Sequence, residues 1–133
     1  MDIEKRFSMS KNLRIAVITL GEMGHALPCI HIADELNQRG HIVTYITSNY
    51  NGEKIAKMVE NLEENSQGKK VEPHATQDDI TNIDMLPGEK AKKKDGKTGF
   101  QRWTPYIVTK LQDFQPDIAV VDVMTTSGMD ACD

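Results

Sequence analysis

The chain has 133 residues, 38% of them apolar and 27% charged, a length that supports one compact domain with a real core but is short for two. Sixteen Lys and Arg against twenty Asp and Glu leave a net charge of −4, so no global positive field gathers nucleic acid or an anionic membrane. Residues 1–12 form a polar leader without the apolar stretch of a signal peptide, no apolar run nears the length of a membrane span, and Cys29 and Cys132 form no CxxC pair; the expectation is a cytoplasmic protein with reduced thiols.

"LRIAVITL", Leu13 to Leu20, is a nearly continuous apolar, β-branched run, the pattern of a strand covered on both faces in a parallel sheet. It ends at Gly21 and Gly24, which suit a tight turn with close backbone approach. Cys29, Ile32, Ala33 and Leu36 then recur at helical spacing, Pro28 fits the first helical turn, and Gly40 fits the left-handed position past the helix end. "HIVTYITS", His41 to Ser48, predicts a second strand. Asn51 is placed to cap a second helix that carries Ile55, Met58, Val59 and Leu62 on one face.

"KKVEPHAT", Lys69 to Thr76, holds a short third strand that Pro73 confines to an edge or to its own end. From 77 to 100 the chain turns polar and loses any apolar period, which predicts a long mobile loop. In "WTPYIVTKLQDF" Thr104 is a candidate cap and Pro105 a candidate first helical residue, with Trp103, Ile107, Leu111 and Phe114 on one side; Gln115 and Pro116 break the helix. "DIAVVDV", Asp117 to Val123, is another buried parallel strand, and "TTSGMDACD" begins a further element. The alternation predicts an α/β fold: a Rossmann-like open parallel sheet flanked by helices, spanning 13–133.

In an open α/β sheet, ligands bind in the crevice at the carboxyl ends of the strands. His25 follows the first strand directly and opens a helix, so its imidazole is placed over that crevice as a candidate general base. The bland alternatives for it are a helix-capping residue or a solvated turn residue. Asp122 ends a strand that otherwise reads "IAVV", and a carboxylate there needs a partner. If the last strand lies beside the first, Asp122 accepts a hydrogen bond from His25 and fixes its tautomer; otherwise it caps the following turn. His31 lies within the helix, His41 enters a strand as a satisfied polar residue, and His74 falls in the third-strand segment. His25, Cys29 and His31 do not make a metal site, because His31 points elsewhere and no fourth ligand is near. "AKKKDGKT", Ala91 to Thr98, has the loose spacing of a phosphate-binding loop, but no strand precedes it and three lysines fill its middle. "GEMGH" is not GxGxxG, and no acid ends the second strand to hold a ribose.

"RIAVITLGEMGHALPCIHIADELNQRGHIVTYITS" resembles the opening of the UDP-dependent glycosyltransferases of the GT-B fold: apolar strand, Gly-rich turn, Gly-His-x-x-Pro, a helix ending in Arg-Gly-His, and a strand closing in Thr. "FQPDIAVVDVMTTSGMDAC" is similar to a later segment of that family, in which Pro-Asp precedes a strand ending in Asp. The resemblance implies the acceptor-binding N-terminal half of such an enzyme. His25 would then deprotonate an acceptor hydroxyl, Asp122 would orient and charge-balance it, and the oxygen would attack the anomeric carbon of a UDP-sugar with inversion. Some sterol- and antibiotic-modifying relatives carry Asp at the position of His25. Gly21, Glu22, Met23, Gly24, Thr125 and Thr126 would line the acceptor cleft. No cofactor is expected in this chain; the UDP-sugar would sit on a separate donor-binding domain, without which no turnover is expected. The expected partners are a small-molecule acceptor and that domain or a partner chain. The alternative is a noncatalytic assembly module of the same fold that pairs through an open sheet edge, with another chain or with a second copy.

Overall fold

The structure is a computed structural model and describes residues 12–48, 51–75, 99–122 and 132. Among the described residues seven elements follow in chain order: β1 (Arg14–Thr19), α1 (Met23–Gln38), β2 (Ile42–Thr47), α2 (Gly52–Glu60), β3 (Glu72–Ala75), α3 (Gly99–Phe114) and β4 (Ile118–Val121). These strands pair in parallel, in the order β3-β2-β1-β4. This is the open, helix-flanked Rossmann-like sheet that the alternation of elements predicts.

Side-chain alternation along the strands divides the core into two layers. Ile15, Val17, Val43 and Tyr45 point to one face, where Ala26, Cys29, Ile30 and Ala33 of α1 and Ile55 and Val59 of α2 cover them. Ile18 and Ile46 point to the other face and meet Trp103 and Ile107 of α3. β1 and β2 are covered on both faces, which explains the apolar run from Ile15 to Ile18 and the largely apolar sequence of β2. β3 is an edge strand among the described residues, one of the two placements that Pro73 allows. β4 is only half-buried rather than fully buried, because it is the outer strand among the described residues, and Ile118 is 48% exposed.

The helices depart from the expected starts. α1 begins at Met23 and α3 at Gly99, so Pro28 and Pro105 lie inside helices instead of opening them, and Thr104 is helical rather than a cap. Each proline withholds one backbone N–H, and the burial of Cys29 beside Pro28 and of Trp103 beside Pro105 keeps each helix in place. The buried face of α1 runs through Ala26, Cys29, Ile30, Ala33 and Asn37. Ile32, expected in the core, is 42% exposed and its place is taken by Ile30 at 4%. Gly40 takes the expected left-handed conformation at φ 95°, and Gln115 breaks α3 at φ 54°.

Arg14 fixes β4 against β1. Its guanidinium Nε and Nη2 donate to the Phe114 carbonyl at 2.9 and 2.6 Å and stack 4.3 Å from the Phe114 ring centroid. Its backbone N–H donates to Asp117 Oδ2 at 2.9 Å, and Asp117 N–H returns a bond to the Arg14 carbonyl at 2.7 Å. With the α3–β4 corner held there, Ile118 pairs with Ile15 and Val121 with Ile18. Among the described residues, no helix is long and apolar enough to cross a membrane. The leader up to residue 11, the segment 76–98 with its lysine-rich loop, Thr125 and Thr126 lie outside the described residues.

Candidate functional site

β1 connects forward to β2 on one side, while β4 lies on its other side. The point between β1 and β4 is therefore where the strand order reverses, and the crevice of an open parallel sheet opens there at the carboxyl ends. His25 stands in the first turn of α1 just past β1, and Asp122 directly follows β4. His25 Nδ1 lies 3.2 Å from Asp122 Oδ1 and 3.1 Å from Oδ2. Asp122 N–H still donates to the Ile18 carbonyl at 3.0 Å, so the carboxylate stands on backbone that is tied to β1.

The imidazole is 32% and the carboxylate 13% exposed. A carboxylate only accepts, so the contact requires the proton on Nδ1 and leaves Nε2 of a neutral ring as an acceptor. Among the described residues no hydrogen bond goes to Nε2. A proton taken up at Nε2 would create a cation already facing a carboxylate. Burial, and after it the Asp122 charge, push the Cys29 thiol upward. Burial is likewise the main reason that Tyr45 is raised, with further contributions from Cys29 and Asp122. Both groups therefore stay neutral near neutral pH.

Gly21 is buried, with its N–H donating to Ser48 Oγ at 3.0 Å and its carbonyl accepting from Asn51 Nδ2 at 2.9 Å. Asn51 occupies the N-cap position of α2, but in left-handed backbone and without a side-chain cap bond; its amide serves the β1–α1 turn instead. Glu22 is the N-cap of α1 in extended backbone, and its carbonyl accepts from His25 and Ala26 N–H. Met23 is half-buried against the core. Gly24 is helical and exposed, and a Cβ built there meets nothing within 4 Å. Neither Gly21 nor Gly24 takes a positive φ, so the turn is made without left-handed backbone at either glycine. What Gly24 provides is open space beside His25.

The remaining histidines are elsewhere. His31 is exposed on α1, and His41 Nδ1 accepts from Leu13 N–H at 3.0 Å, a structural role. His74 lies on β3, 3.6 Å from Glu72. Sequence reasoning missed Tyr45 and Thr19, whose hydroxyls lie 2.9 Å apart in the core behind the turn, with Tyr45 donating to the Ala26 carbonyl at 3.3 Å. The signal was a tyrosine in a strand buried on both faces, where its hydroxyl must find a partner.

No protein-family model and no curated protein sequence matches the chain. Among solved structures the chain is similar to MurG of Acinetobacter baumannii, with a TM-score of 0.58 and 14% identity. The match covers 90% of this chain and 32% of that one, so the chain spans about a third of the length of this neighbour. At that identity the likeness establishes the fold: an open parallel sheet of the GT-B kind, Rossmann-like and flanked by helices.

Proposed function

We propose that the chain is the acceptor-binding part of an inverting, UDP-sugar-dependent glycosyltransferase, with His25 as general base and Asp122 as the group that orients it. The observation that carries this reading is the 3.1 Å contact between His25 Nδ1 and Asp122 at the reversal of strand order. The GT-B-like fold supports it. An acceptor hydroxyl in contact with Nε2 gives its proton to that nitrogen as its oxygen bonds to the anomeric carbon. The bond from that carbon to the UDP oxygen breaks, and UDP leaves with the electron pair from the opposite face. A hydroxyl is a poor nucleophile near neutral pH, and a base in contact at the moment of attack removes that obstacle. The donor is assigned to a separate domain.

In a protein that joins this chain to a donor-binding domain, His25→Ala is expected to lower kcat by about 10²- to 10⁴-fold. The fold is checked by circular dichroism. A folded variant that retains full transfer removes the base role.

A second reading, a noncatalytic module that pairs through β4, is favoured by one feature. A groove of about 390 Å³ runs between α3 and β4, lined by Val108, Leu111, Gln115, Pro116, Ile118 and Ala119. Light scattering on the isolated chain separates the two readings. A mass near 14.9 kDa is expected from the first, and a stable dimer from pairing of two copies through this edge.

A further inference from the structure

The turn that carries His25 is held from outside its own helix. α1 opens with Glu22 at φ −92° and ψ 132° and no side-chain cap bond. Pro28 has no N–H to give the carbonyl of Gly24, so one bond of the first turns is missing as well. A helix start without a side-chain cap bond and with one turn bond withheld gains from ties made by other elements.

The end of β2 and the start of α2 supply the missing constraints. The Tyr45 hydroxyl donates to the Ala26 carbonyl at 3.3 Å and touches the Thr19 hydroxyl, which itself donates to the Leu20 carbonyl at 3.0 Å. Ser48 Oγ accepts from Gly21 N–H, and Asn51 Nδ2 donates to the Gly21 carbonyl. Gly21 and Ala26 bracket His25, so the backbone is tied on both sides of it. Tyr45 and Ser48 are buried. Asn51 holds φ 55°, a conformation uncommon outside glycine, yet its amide makes no bond to the helix it precedes.

We infer that Tyr45, Ser48 and Asn51 form a clamp that positions His25, fixing the β1–α1 turn so that Nδ1 meets Asp122 and Nε2 remains the acceptor. They are positioning residues, because the bonds that hold the turn go to its backbone and not to the imidazole. The inference rests on the reading of His25 as base and adds the residues that hold it in register.

The test is the tautomer of His25, read from the ¹⁵N shifts of Nδ1 and Nε2 in long-range ¹H–¹⁵N spectra of the whole chain at alkaline pH, where imidazoles are neutral. Asn51→Gly keeps the left-handed backbone and removes the amide; Tyr45→Phe keeps the ring and removes the hydroxyl. Each is expected to lose the single Nδ1–H form and move part of the population to Nε2–H, toward the mixture expected in Asp122→Asn. His41, whose Nδ1 accepts from the Leu13 N–H, stays Nε2–H throughout and serves as the internal reference. A merely structural role would lower the melting temperature and leave the folded-state tautomer unmoved. If Asp122→Asn shifts the tautomer and Asn51→Gly does not, the clamp is refuted and the base reading stands. If Asp122→Asn shifts nothing, the pairing itself fails and takes the clamp with it. Should Tyr45→Phe not fold, Asn51→Gly decides alone.

Discussion

His25 Nδ1 lies 3.1 Å from Asp122 Oδ2 although 97 positions separate the two residues along the chain. The contact exists because β4 inserts beside β1 and not at the outer edge of β3. Arg14 secures that insertion by tying the first residue of β1 to Phe114 and Asp117 at the entry of β4. The opposite end of the same strand pair then presents the imidazole and the carboxylate to each other.

The frame of α1 is tested by its two isoleucines. Ile30 is 4% exposed in the core and Ile32 is 42% exposed. Ile30→Ala is expected to cost about 2–4 kcal/mol, and Ile32→Ala about 0.5 kcal/mol or less. Urea denaturation measures both. Equal losses would mean that the helix is rotated from the orientation described.

Gly24 has open space where a side chain would begin and no positive φ. Gly24→Ala is therefore expected to raise stability, by up to about 1 kcal/mol from helix propensity. The reading is the melting temperature, and a fall would reveal a contact against this face of the turn.

His74 gives the fold a pH dependence of known sign. Burial lowers its imidazole below the ordinary 6.5; Glu72 and Asp113 oppose that shift, and Lys110 adds to it. The unfolded chain then binds more protons than the folded one in the window between the two midpoints. The stabilising contribution is complete above 6.5 and is lost as pH falls through the lower folded value. Between about pH 7 and about pH 5 the wild-type melting temperature should fall more steeply than that of His74→Gln. Parallel curves for the two proteins would place the charged form of His74 comfortably within the fold.

Much of this architecture was legible in particular residues. The run from Leu13 to Leu20 reads as a strand covered on both faces and that from His41 to Ser48 as a second strand, and the helices do cover β1 and β2 on both faces. Pro73 marked an edge, and Gly40 marked a helix end. The helix starts were misread because proline prefers first turns, whereas Pro28 and Pro105 each give up one bond inside a helix that burial maintains. Ile32 was misassigned because Ile30 and Ile32 both fit an apolar helical pattern, and only packing against the sheet shows which is buried. The nearness of His25 and Asp122 was legible only on the condition that the last strand lie beside the first. A tyrosine in a doubly covered strand signals that the Tyr45 hydroxyl needs a partner but not which one, and the ties from Ser48 and Asn51 to the turn leave no pattern, since a bond from a side chain to a distant peptide group has no characteristic spacing.

Where the imidazole proton resides in the unaltered chain is the most direct test of the account. With all imidazoles neutral, ¹⁵N spectra are expected to show His25 carrying its proton on Nδ1, facing Asp122, with Nε2 bare. A proton on Nε2 would contradict the account, because that ring could neither lean on the carboxylate nor accept the proton of an acceptor hydroxyl.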